Sequence, residues 1–323
     1  MKVRALITGV KGFVGKYLAD HLLSQGIEVW GTSRKESPFL CLSNGNISVI
    51  KNDLNNTEEI FNLLQLIEPD YIFHLAGQSN VKQSWIDKEG TFYANVNKTI
   101  FLLDACVAYQ KENPQMRLLT VGSSEEYGKV LKNELPIQET TQLRPVSPYG
   151  ASKAAVSMLV KQYNTAHNLN VIHARPFNHI GPGQSDGFVA IDFAKQVVRL
   201  EEIQNPTMYV GDLSSKRDFT DVRDIVRAYF EIIQFGEIGQ IYNICSGTPV
   251  AIQEILNYLL SFSSKKINVV VDESKMRPIE IKEYYGSSKK IRTTLKWKPL
   301  YTIEKSLSDI YFHLQEANSE KEW

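Results

Sequence analysis

The 323-residue chain has no excess charge of either sign, few cysteines and no long apolar run. Its 36 Lys and Arg residues balance 36 Asp and Glu residues, so the formal net charge is zero. Proteins that bind nucleic acid over a broad surface carry a basic excess, so this balance argues against that class. No stretch approaches the ~20 apolar residues that a transmembrane helix needs. We therefore expect neither a nucleic-acid partner nor a membrane partner.

Cysteine is scarce as well: Cys41, Cys106 and Cys245 lie far apart and are odd in number. This usage excludes the small secreted domains that depend on paired cysteines. No Cys-x-x-Cys or Cys/His spacing of the zinc-binding kind is present, and we predict no metal site. The apolar stretch after Arg4 is too short for the core of a secretory signal peptide. Together these features predict reduced thiols and a cytoplasmic location.

What the chain does contain is the mixture of an ordinary folded protein, with 43% hydrophobic and 22% charged residues. At roughly 150 residues per domain, the length predicts about two domains. Short apolar runs alternate with helical patterns, beginning with a strand at 3–8 and a helix at 12–25. This alternation indicates βαβ units. We predict an α/β fold: a Rossmann-type doubly wound parallel sheet with a smaller α/β substrate-binding domain.

The division between the two predicted domains falls where the alternation weakens. After Phe177 the chain enters a glycine-rich polar loop at 178–188, and a strand pattern returns at 240–247. We infer that the chain leaves the first domain and comes back to it. The predicted NADP-binding domain is therefore 1–176 plus 220–249, and the predicted nucleotide-sugar-binding domain is 177–219 plus 250–323.

Gly9, Gly12 and Gly15 follow the first predicted strand directly and open the first predicted helix. Gly9 permits a tight turn, Gly12 allows a pyrophosphate to approach the backbone, and Gly15 allows the helix to pack closely. The free N–H groups at the helix N-terminus, where Phe13 and Val14 lie, attract phosphate. This context favours a dinucleotide-binding loop over an accidental glycine turn.

The end of the second predicted strand distinguishes NADP from NAD. An acidic residue there would bind the ribose 2′-hydroxyl of NAD, whereas this chain has Ser33 and Arg34, which can bind a 2′-phosphate. A solvated basic turn is the alternative. We predict NADP(H), with NAD(H) as the second choice, and we expect Asp53 and Leu54 to contact the adenine ring.

Tyr149 and Lys153 form a Tyr-x-x-x-Lys motif at a helix start. Ser147 suits the N-cap and Pro148 the first helical position, so Tyr149 and Lys153 lie on one face of a helix. A lysine ammonium favours the phenolate and would lower the pKa of Tyr149 toward working pH. Such a tyrosine can exchange a proton with a sugar oxygen.

Ser123 follows the fifth predicted strand, at the carboxyl edge of the sheet where doubly wound folds bind ligands. Its hydroxyl can hydrogen-bond the reacting oxygen, and we predict a catalytic triad of Ser123, Tyr149 and Lys153. A serine-rich turn with solvated glutamates is the alternative.

Taken together, these motifs resemble the extended short-chain dehydrogenases/reductases that modify nucleotide-activated sugars. The resemblance covers nearly the whole chain: the glycine loop, 74–79, Asn95, 122–128, 147–153, 175–184, 217–225, 277–278 and 295–299. Within that family, the strings at 177–189 and 123–128 are most similar to the reductases of GDP-4-keto-6-deoxy-D-mannose. The GDP-mannose 4,6-dehydratases are second.

The resemblance implies further site residues. Additional cofactor contacts are expected at Leu75, Ala76 and Gly77, and Tyr149 and Lys153 would also touch the nicotinamide ribose. Substrate contacts are expected at Ser124, Asn178, Lys195, Arg217 and Arg277. Asn178 and the two arginines would hold the substrate diphosphate, which suits the bidentate geometry of arginine. Each basic residue has the alternative role of a surface ion-pair partner.

Two features bear on the choice of reaction, and a third departs from the family pattern. Glu125 aligns with the glutamate that dehydratases use as the base at C5, and it is a fourth catalytic candidate. The segment after Lys35 is short, whereas GDP-mannose dehydratases carry a longer loop there. Lys98 replaces the glycine usual in the family, which argues against close helix packing at that point.

The leading prediction is an NADPH-dependent reductase that converts GDP-4-keto-6-deoxy-D-mannose to GDP-D-rhamnose. The alternatives are a GDP-mannose 4,6-dehydratase and a reductase of a related 4-keto-6-deoxy nucleotide sugar or heptose. A non-catalytic NADP-sensing protein is a remote alternative, disfavoured because Tyr149 and Lys153 are both present. The family further implies a homodimer formed through helices 90–110 and 148–167.

Overall fold

Fourteen strands and eleven α-helices are found in the part of the chain that this computed structural model describes, residues 2–35, 38–275 and 282–319. The strands are β1 (Arg4–Thr8), β2 (Glu28–Ser33), β3 (Phe39–Leu42), β4 (Gly45–Lys51), β5 (Tyr71–His74), β6 (Arg117–Val121), β7 (Val171–Pro176), β8 (Asn178–Ile180), β9 (Thr207–Val210), β10 (Lys216–Asp221), β11 (Ile241–Ile244), β12 (Pro249–Ala251), β13 (Asn268–Val271) and β14 (Glu283–Tyr284). The helices are α1 (Phe13–Ser24), α2 (Thr57–Ile67), α3 (Val81–Ile86), α4 (Lys88–Phe92), α5 (Lys98–Tyr109), α6 (Pro148–His167), α7 (Val189–Leu200), α8 (Val222–Phe235), α9 (Ile252–Ser261), α10 (Lys289–Leu295) and α11 (Ile303–Ser319).

The largest sheet has eight strands in the order β11-β7-β6-β5-β1-β2-β4-β3. All neighbours run parallel except β3, which pairs antiparallel with β4 at the edge. Helices cover both faces, with α1 and α8 on one side and α2, α5 and α6 on the other. This double cover explains why β7 is apolar-rich and buried along its whole length. The predicted Rossmann-type α/β fold is confirmed, and β3 is an addition that the sequence pattern missed.

A second lobe contains two small sheets and three helices. One sheet joins β12, β10 and β14, with β8 also paired to β10, and the other joins β13 and β9. Helices α7, α9 and α11 pack on these strands around a separate apolar core that includes Ala194, Leu256 and Leu307. Strand β10 leads directly into α8, which returns the chain to the large sheet.

The predicted domain boundaries remain a proposal, and α10 bears on them. This helix falls within 250–323, yet its Ile291 packs in the apolar core on the α1 and α8 side of the large sheet, together with Trp297. The chain therefore visits the first layer once more before α11 completes the second lobe.

Two helices named in the sequence analysis position the site. Helix α6 covers the predicted 148–167, and the Ser147 hydroxyl caps it by accepting from the Gly150 N–H at 3.0 Å. The predicted helix at 90–110 is interrupted, because a π-helical turn at Tyr93–Asn97 separates α4 from α5. No helix within the described ranges is long and apolar enough to cross a membrane.

Candidate active site

The loop between β1 and α1 forms a cradle of bare backbone. Gly9 has a φ of +72°, and a Cβ there would lie 2.9 Å from the Cα of Ala76. A Cβ at Gly15 would lie 2.6 Å from the Gly9 carbonyl oxygen, so a side chain at either position would collide with backbone. Gly12 caps α1 without a side-chain hydrogen bond, and the first turn carries no acidic residue. The cradle therefore suits an anion such as a pyrophosphate.

Ser33 and Arg34 lie where β2 ends, at the same carboxyl edge of the sheet. The Ser33 hydroxyl accepts from the Lys35 N–H at 3.2 Å, which leaves its own proton available to a ligand. Arg34 is exposed. This placement is the one expected for residues that hold a 2′-phosphate, and their role remains a prediction.

Asp53 follows β4 and is fixed from two sides. The Lys98 ammonium lies 2.6 Å from its Oδ1, and the Asn55 amide donates to its Oδ2 at 3.3 Å. The Lys98 Nζ also lies 5.7 Å from the ring centroid of Tyr93. Leu54 adopts a φ of +55°, with its N–H held by the Asn52 side chain. The unusual lysine therefore reaches across to the residue predicted to contact adenine.

A buried hydrogen-bond chain begins at the glycine loop. The Ala76 N–H donates to the Thr8 hydroxyl at 3.1 Å, and the Thr99 hydroxyl donates to the Asn95 carbonyl at 2.6 Å. His74 lies between the two hydroxyls, 2.8 Å from Thr8 and 2.9 Å from Thr99. These ends fix its tautomer: Nδ1 accepts from Thr8 and Nε2–H donates to Thr99. Burial lowers the pKa of His74 to about 3, with Lys153 adding to the effect, so the imidazole is neutral.

The chain continues from Asn95 to the catalytic helix. Asn95 lies in the π-helical turn and is buried; its Oδ1 accepts from the Gln78 N–H at 2.7 Å. Its amide donates to the Ser152 hydroxyl at 2.9 Å, and that hydroxyl donates to the Tyr149 carbonyl at 2.7 Å. A π-helical turn is a frequent feature of functional sites, and here it lets Asn95 bridge two segments.

Tyr149, Lys153 and Ser123 lie together at the carboxyl edge. The Lys153 Nζ lies 6.0 Å from the Tyr149 ring centroid and donates to the Val121 carbonyl at 2.8 Å. The Ser123 hydroxyl lies near the Tyr149 phenol and lowers its pKa. It also accepts from the Glu125 N–H at 3.2 Å, so the hydroxyl proton can point to Tyr149 or to a ligand.

The proton affinities of this group differ from the expectation. Burial raises the pKa of Tyr149 and Ser123 lowers it less, so the phenol is protonated. The predicted lowering by Lys153 is wrong for this structure: desolvation of the buried phenol is the largest cause of the shift, and Lys153 is not among the groups that produce it. Burial also lowers the pKa of Lys153 to about 8, against an opposing effect of Glu126. The site thus holds a protonated tyrosine beside a lysine poised near neutral pH.

Ser124 and Glu125 follow Ser123 in the same turn and lie toward the second lobe. Ser124 is buried, and its carbonyl accepts from the Tyr284 hydroxyl at 2.5 Å. Glu125 is half-buried, and its carboxylate contributes to the raised pKa values of both Tyr149 and Tyr284. Glu125 therefore contributes negative charge at both phenols.

The predicted substrate residues are only partly brought together. Asn178 in β8 donates to the Asp218 carbonyl at 3.3 Å, and Arg217 lies in the neighbouring strand β10. Lys195 is engaged by Asp186, the surface ion pair given above as the alternative for this residue. Arg277 lies outside the described residues.

Sequence reasoning missed two contacts between the glycine loop and the second lobe. The Phe13 ring stacks on His179, with centroids 6.3 Å apart and planes at 3°. One turn later, the Tyr17 hydroxyl donates to the Pro182 carbonyl at 2.9 Å. No local pattern signals these contacts, because they join residues about 165 positions apart.

Asp218 was also missed, although it stands in a quoted motif. It is fully buried and accepts from the backbone N–H groups of Ser246, Gly247 and Gly286 and from the Ser246 hydroxyl. Burial raises the pKa of Asp218 to about 6, opposed by these donors. It ties β10, beside Arg217, to two loops of the lobe. The local sequence gives no clear signal of its burial, because Asp218 directly follows the charged residues Lys216 and Arg217.

Comparison with known proteins places this geometry in context. A family model described as GDP-mannose 4,6 dehydratase matches residues 6–310. GDP-6-deoxy-D-mannose reductase from Pseudomonas aeruginosa is 34% identical over 311 residues, covering 96% of each chain. The human GDP-mannose 4,6 dehydratase is 28% identical over 337 residues, covering 95% of this chain and 90% of the relative.

Solved structures of similar fold include proteins that hold a nicotinamide cofactor. The Pseudomonas aeruginosa protein RMD, complexed with NADPH, superposes with a TM-score of 0.82 at 31% identity, covering 98% of this chain and all of that one. A Thermus thermophilus UDP-glucose 4-epimerase in complex with NAD has the same TM-score at 26% identity. From a family match over residues 6–310 and a relative that is 34% identical over nearly its whole length, the chain belongs to the GDP-mannose 4,6-dehydratase family of extended short-chain dehydrogenases/reductases.

Proposed function

We propose that this protein is an oxidoreductase that uses NADPH to reduce the C4 keto group of GDP-4-keto-6-deoxy-D-mannose, forming GDP-D-rhamnose. The observation that carries the proposal is the 34% identity to a GDP-6-deoxy-D-mannose reductase over 96% of both chains. The dehydratase relatives are 25–29% identical to this chain. Their alignments extend over up to 350 positions, which fits insertions that this chain lacks.

The protonated state of Tyr149 suits reduction. A carbonyl that gains a hydride becomes an alkoxide, and Tyr149 can donate its phenolic proton to that oxygen. Ser123 can hydrogen-bond the same oxygen and stabilise the charge as it develops. Lys153 stabilises the phenolate that remains. NADPH, when bound in the glycine cradle, supplies the hydride.

The assignment of NADPH is supported by the end of β2. Ser33 and Arg34 offer a hydroxyl and a guanidinium where an NAD-binding protein of this fold places an acidic residue. The RMD structure holds NADPH, whereas the epimerase relative holds NAD. The glycine cradle, Asp53 and the 75–77 segment would complete the cofactor site.

For the substrate, we propose that Asn178 and Arg217 bind the GDP diphosphate, with Arg277 contributing from outside the described residues. Asn178 and Arg217 lie on neighbouring strands of one small sheet. Lys195 is a weaker candidate because Asp186 already engages its ammonium. A diphosphate would have to displace that carboxylate.

A GDP-mannose 4,6-dehydratase is the second candidate, and Glu125 favours it. In that reaction the C4 hydroxyl is oxidised, a base removes the C5 proton, water leaves, and hydride returns to C6. Glu125 lies in a turn whose backbone packs on the start of α6, where a Cβ at Gly150, next to Tyr149, would lie 2.5 Å from the Glu125 carbonyl oxygen. This cycle has no net consumption of cofactor.

One experiment separates the two reactions. Purified protein is mixed with NADPH and GDP-4-keto-6-deoxy-D-mannose, and separately with GDP-mannose without added cofactor. We expect NADPH oxidation at 340 nm in the first mixture, one equivalent per product, and no turnover in the second. Turnover of GDP-mannose alone, without NADPH oxidation in the first mixture, would establish the dehydratase instead.

We further propose that two copies pair through α4, α5 and α6. Large apolar side chains are exposed along these helices: Phe92 is 38% exposed, Tyr93 45% and Met158 64%. Helix α6 also packs against α4. Light scattering should give a dimer, and Met158→Asp should give a monomer. The predicted cytoplasmic location remains a proposal from cysteine usage.

A further inference from the structure

A fully buried charge lies directly behind the Ser123 turn and has no role in the mechanism above. The side chain of Glu126 has no solvent exposure. Its Oε1 accepts from the Ser123 N–H at 3.0 Å and lies 3.1 Å from His173 Nε2. Its Oε2 accepts from Arg175 Nε at 2.6 Å. Gly122 leaves the space, because a Cβ there would lie 1.9 Å from Glu126 Oε1.

The charges in this cluster are well defined. Burial raises the pKa of Glu126, but His173 and Arg175 outweigh it, so its pKa is lowered and the carboxylate is ionised. Burial lowers the pKa of His173 more than Glu126 raises it, so the imidazole is neutral. Its Nδ1 accepts from the Thr120 hydroxyl at 2.8 Å, and Nε2–H donates to Glu126. The cluster is therefore an ion pair of Glu126 and Arg175 with a neutral histidine.

Arg175 extends the cluster to the catalytic helix. Its second terminal nitrogen donates to the Ser157 hydroxyl at 2.6 Å, and Ser157 lies in α6 two turns after Tyr149. Its other terminal nitrogen donates to the Tyr127 hydroxyl at 3.0 Å. One guanidinium thus joins the Ser123 turn and β7 to α6.

Stability alone does not account for this arrangement. Desolvating two charges costs several kcal/mol, and apolar side chains of similar volume often stabilise a core as well or better. The charged groups provide a fixed geometry. Both carboxylate oxygens of Glu126 and all three guanidinium nitrogens of Arg175 have hydrogen-bond partners. Two of those partners lie on the elements that build the site: Ser123 in the turn near Tyr149, and Ser157 on the helix that carries Tyr149.

We propose that Glu126 is a positioning residue for the proton-transfer group: it holds the Ser123 backbone so that the hydroxyl faces Tyr149, and through Arg175 it fixes the distance between that turn and α6. The proposal rests on the proposed oxidoreductase activity. The Glu126 charge also favours the ammonium form of Lys153, whose pKa it raises against the effect of burial.

Several titratable groups surround Glu126 and Lys153, and each of them can contribute to a measured pH profile. They are His74 from β5, His173 and Arg175 from β7, Tyr149 from α6, and Glu125 from the turn itself. Both histidines have lowered pKa values and are neutral at working pH. A change in the titration of Lys153 on removal of the Glu126 charge is therefore attributable to that charge.

The test compares Glu126→Gln with Glu134→Gln. Glu134 is a matched control, because it also accepts from a backbone N–H three residues earlier, that of Leu131, and also pairs with an arginine, Arg144. It lies in a separate exposed turn at Lys132–Glu134. We expect Glu126→Gln to lower kcat by about 10- to 100-fold with KM for NADPH within about twofold. The control should leave kcat and KM unchanged.

A second readout does not depend on turnover. The titration of Lys153, followed by NMR with ¹⁵N-labelled lysine, should move to lower pH in Glu126→Gln and stay in place in Glu134→Gln. A structural role alone would reduce thermal stability without moving this titration. Unchanged kcat, or equal behaviour of the two variants, would overturn the proposal. If wild-type protein turns over neither sugar nucleotide, the proposed function fails, and the Lys153 titration still decides the role of Glu126.

Ser157→Ala provides a variant that keeps the buried ion pair of Glu126 and Arg175, in case Glu126→Gln does not fold. It removes only the link from Arg175 to α6. We expect kcat to fall severalfold while NADPH binding is unchanged. Wild-type kcat in a folded Ser157→Ala protein would contradict the link to α6.

Discussion

The Lys98 ammonium lies 2.6 Å from Asp53 Oδ1, and only 13% of the lysine side chain is exposed. Asp53 is predicted to contact the adenine ring, and its carboxylate can accept from the adenine amino group, so this pair sets the orientation of a proposed cofactor ligand. A partly desolvated ion pair holds its carboxylate more firmly than an exposed one does. A glycine at position 98 would allow close helix packing. The lysine found there instead fixes Asp53 through an ion pair.

Lys98→Met should weaken NADPH binding by about three- to tenfold, because Asp53 loses its fixed position. Fluorescence titration of NADPH measures this. Lys305→Met is the control, since Lys305 makes an ion pair of equal length with Asp309 on α11. A hypoxanthine analogue of NADPH, which lacks the adenine amino group, should bind both wild type and Lys98→Met equally. An unchanged affinity for NADPH in Lys98→Met would contradict the role of the pair.

Tyr149→Phe should lower kcat by about 10²- to 10⁴-fold and leave the dissociation constant of NADPH within about twofold, since only the proton donor is lost. Tyr163→Phe is the matched control on the same helix, where the hydroxyl donates to Asp104 at 2.6 Å away from the site. Stopped-flow absorbance at 340 nm measures the rate. Substantial activity in Tyr149→Phe would show that another group donates the proton.

Arg34→Ala should reduce NADPH affinity by about tenfold or more and leave NADH affinity unchanged, because a charge-assisted hydrogen bond to the 2′-phosphate is lost. Titration with both cofactors gives the ratio. Lys111→Ala removes an exposed positive charge just before β6, at the opposite edge of the sheet, and should leave the ratio unchanged. Equal loss of both cofactors in Arg34→Ala would indicate that the residue does not distinguish them.

Acid should destabilise the fold through His74. Its pKa is about 3 in the folded protein and about 6.5 when unfolded, so the unfolded state binds more protons between these values. Stability from this group is full above pH ~6.5 and declines as the pH falls. Between pH 7.5 and 5 the loss is about 2 kcal/mol.

Urea unfolding at pH 7.5 and pH 5 measures this contribution. In His74→Gln the decline in the free energy of unfolding between the two pH values should be smaller than in wild type by about that amount. His313→Gln, an exposed histidine on α11, should decline as wild type does. The same decline in all three proteins would mean that the His74 imidazole is charged in the folded state.

Local patterns predicted the parts of the molecule that depend on neighbouring residues. The glycine loop, the capped start of α6 and the strands of the large sheet follow from backbone freedom, capping chemistry and apolar runs. The same patterns could not predict the π-helical turn at Tyr93–Asn97, since its wider winding accommodates contacts of Asn95 with Gln78 and Ser152.

Long-range contacts set the remaining features of the site. The stacking of Phe13 on His179 joins two lobes, and the burial of Glu126 depends on β7 lying beside the turn. A turn with solvated glutamates is the alternative that the sequence leaves open there, and sequence does not reveal the burial of Glu126 because its counter-charge, Arg175, stands 49 residues away. The raised pKa of Tyr149 was missed for the same reason: it depends on how much of the phenol is desolvated in the folded protein.

The buried chain from Thr8 through His74 to Thr99 has a single polarity. Its ends are an amide donor at Ala76 and a carbonyl acceptor at Asn95, so the direction of every proton between them is dictated. If one of the three residues is replaced, the remaining two are left with a donor facing a donor or an acceptor facing an acceptor. Natural variation at these three positions should therefore be correlated, with compatible sets inherited together rather than assembled one residue at a time.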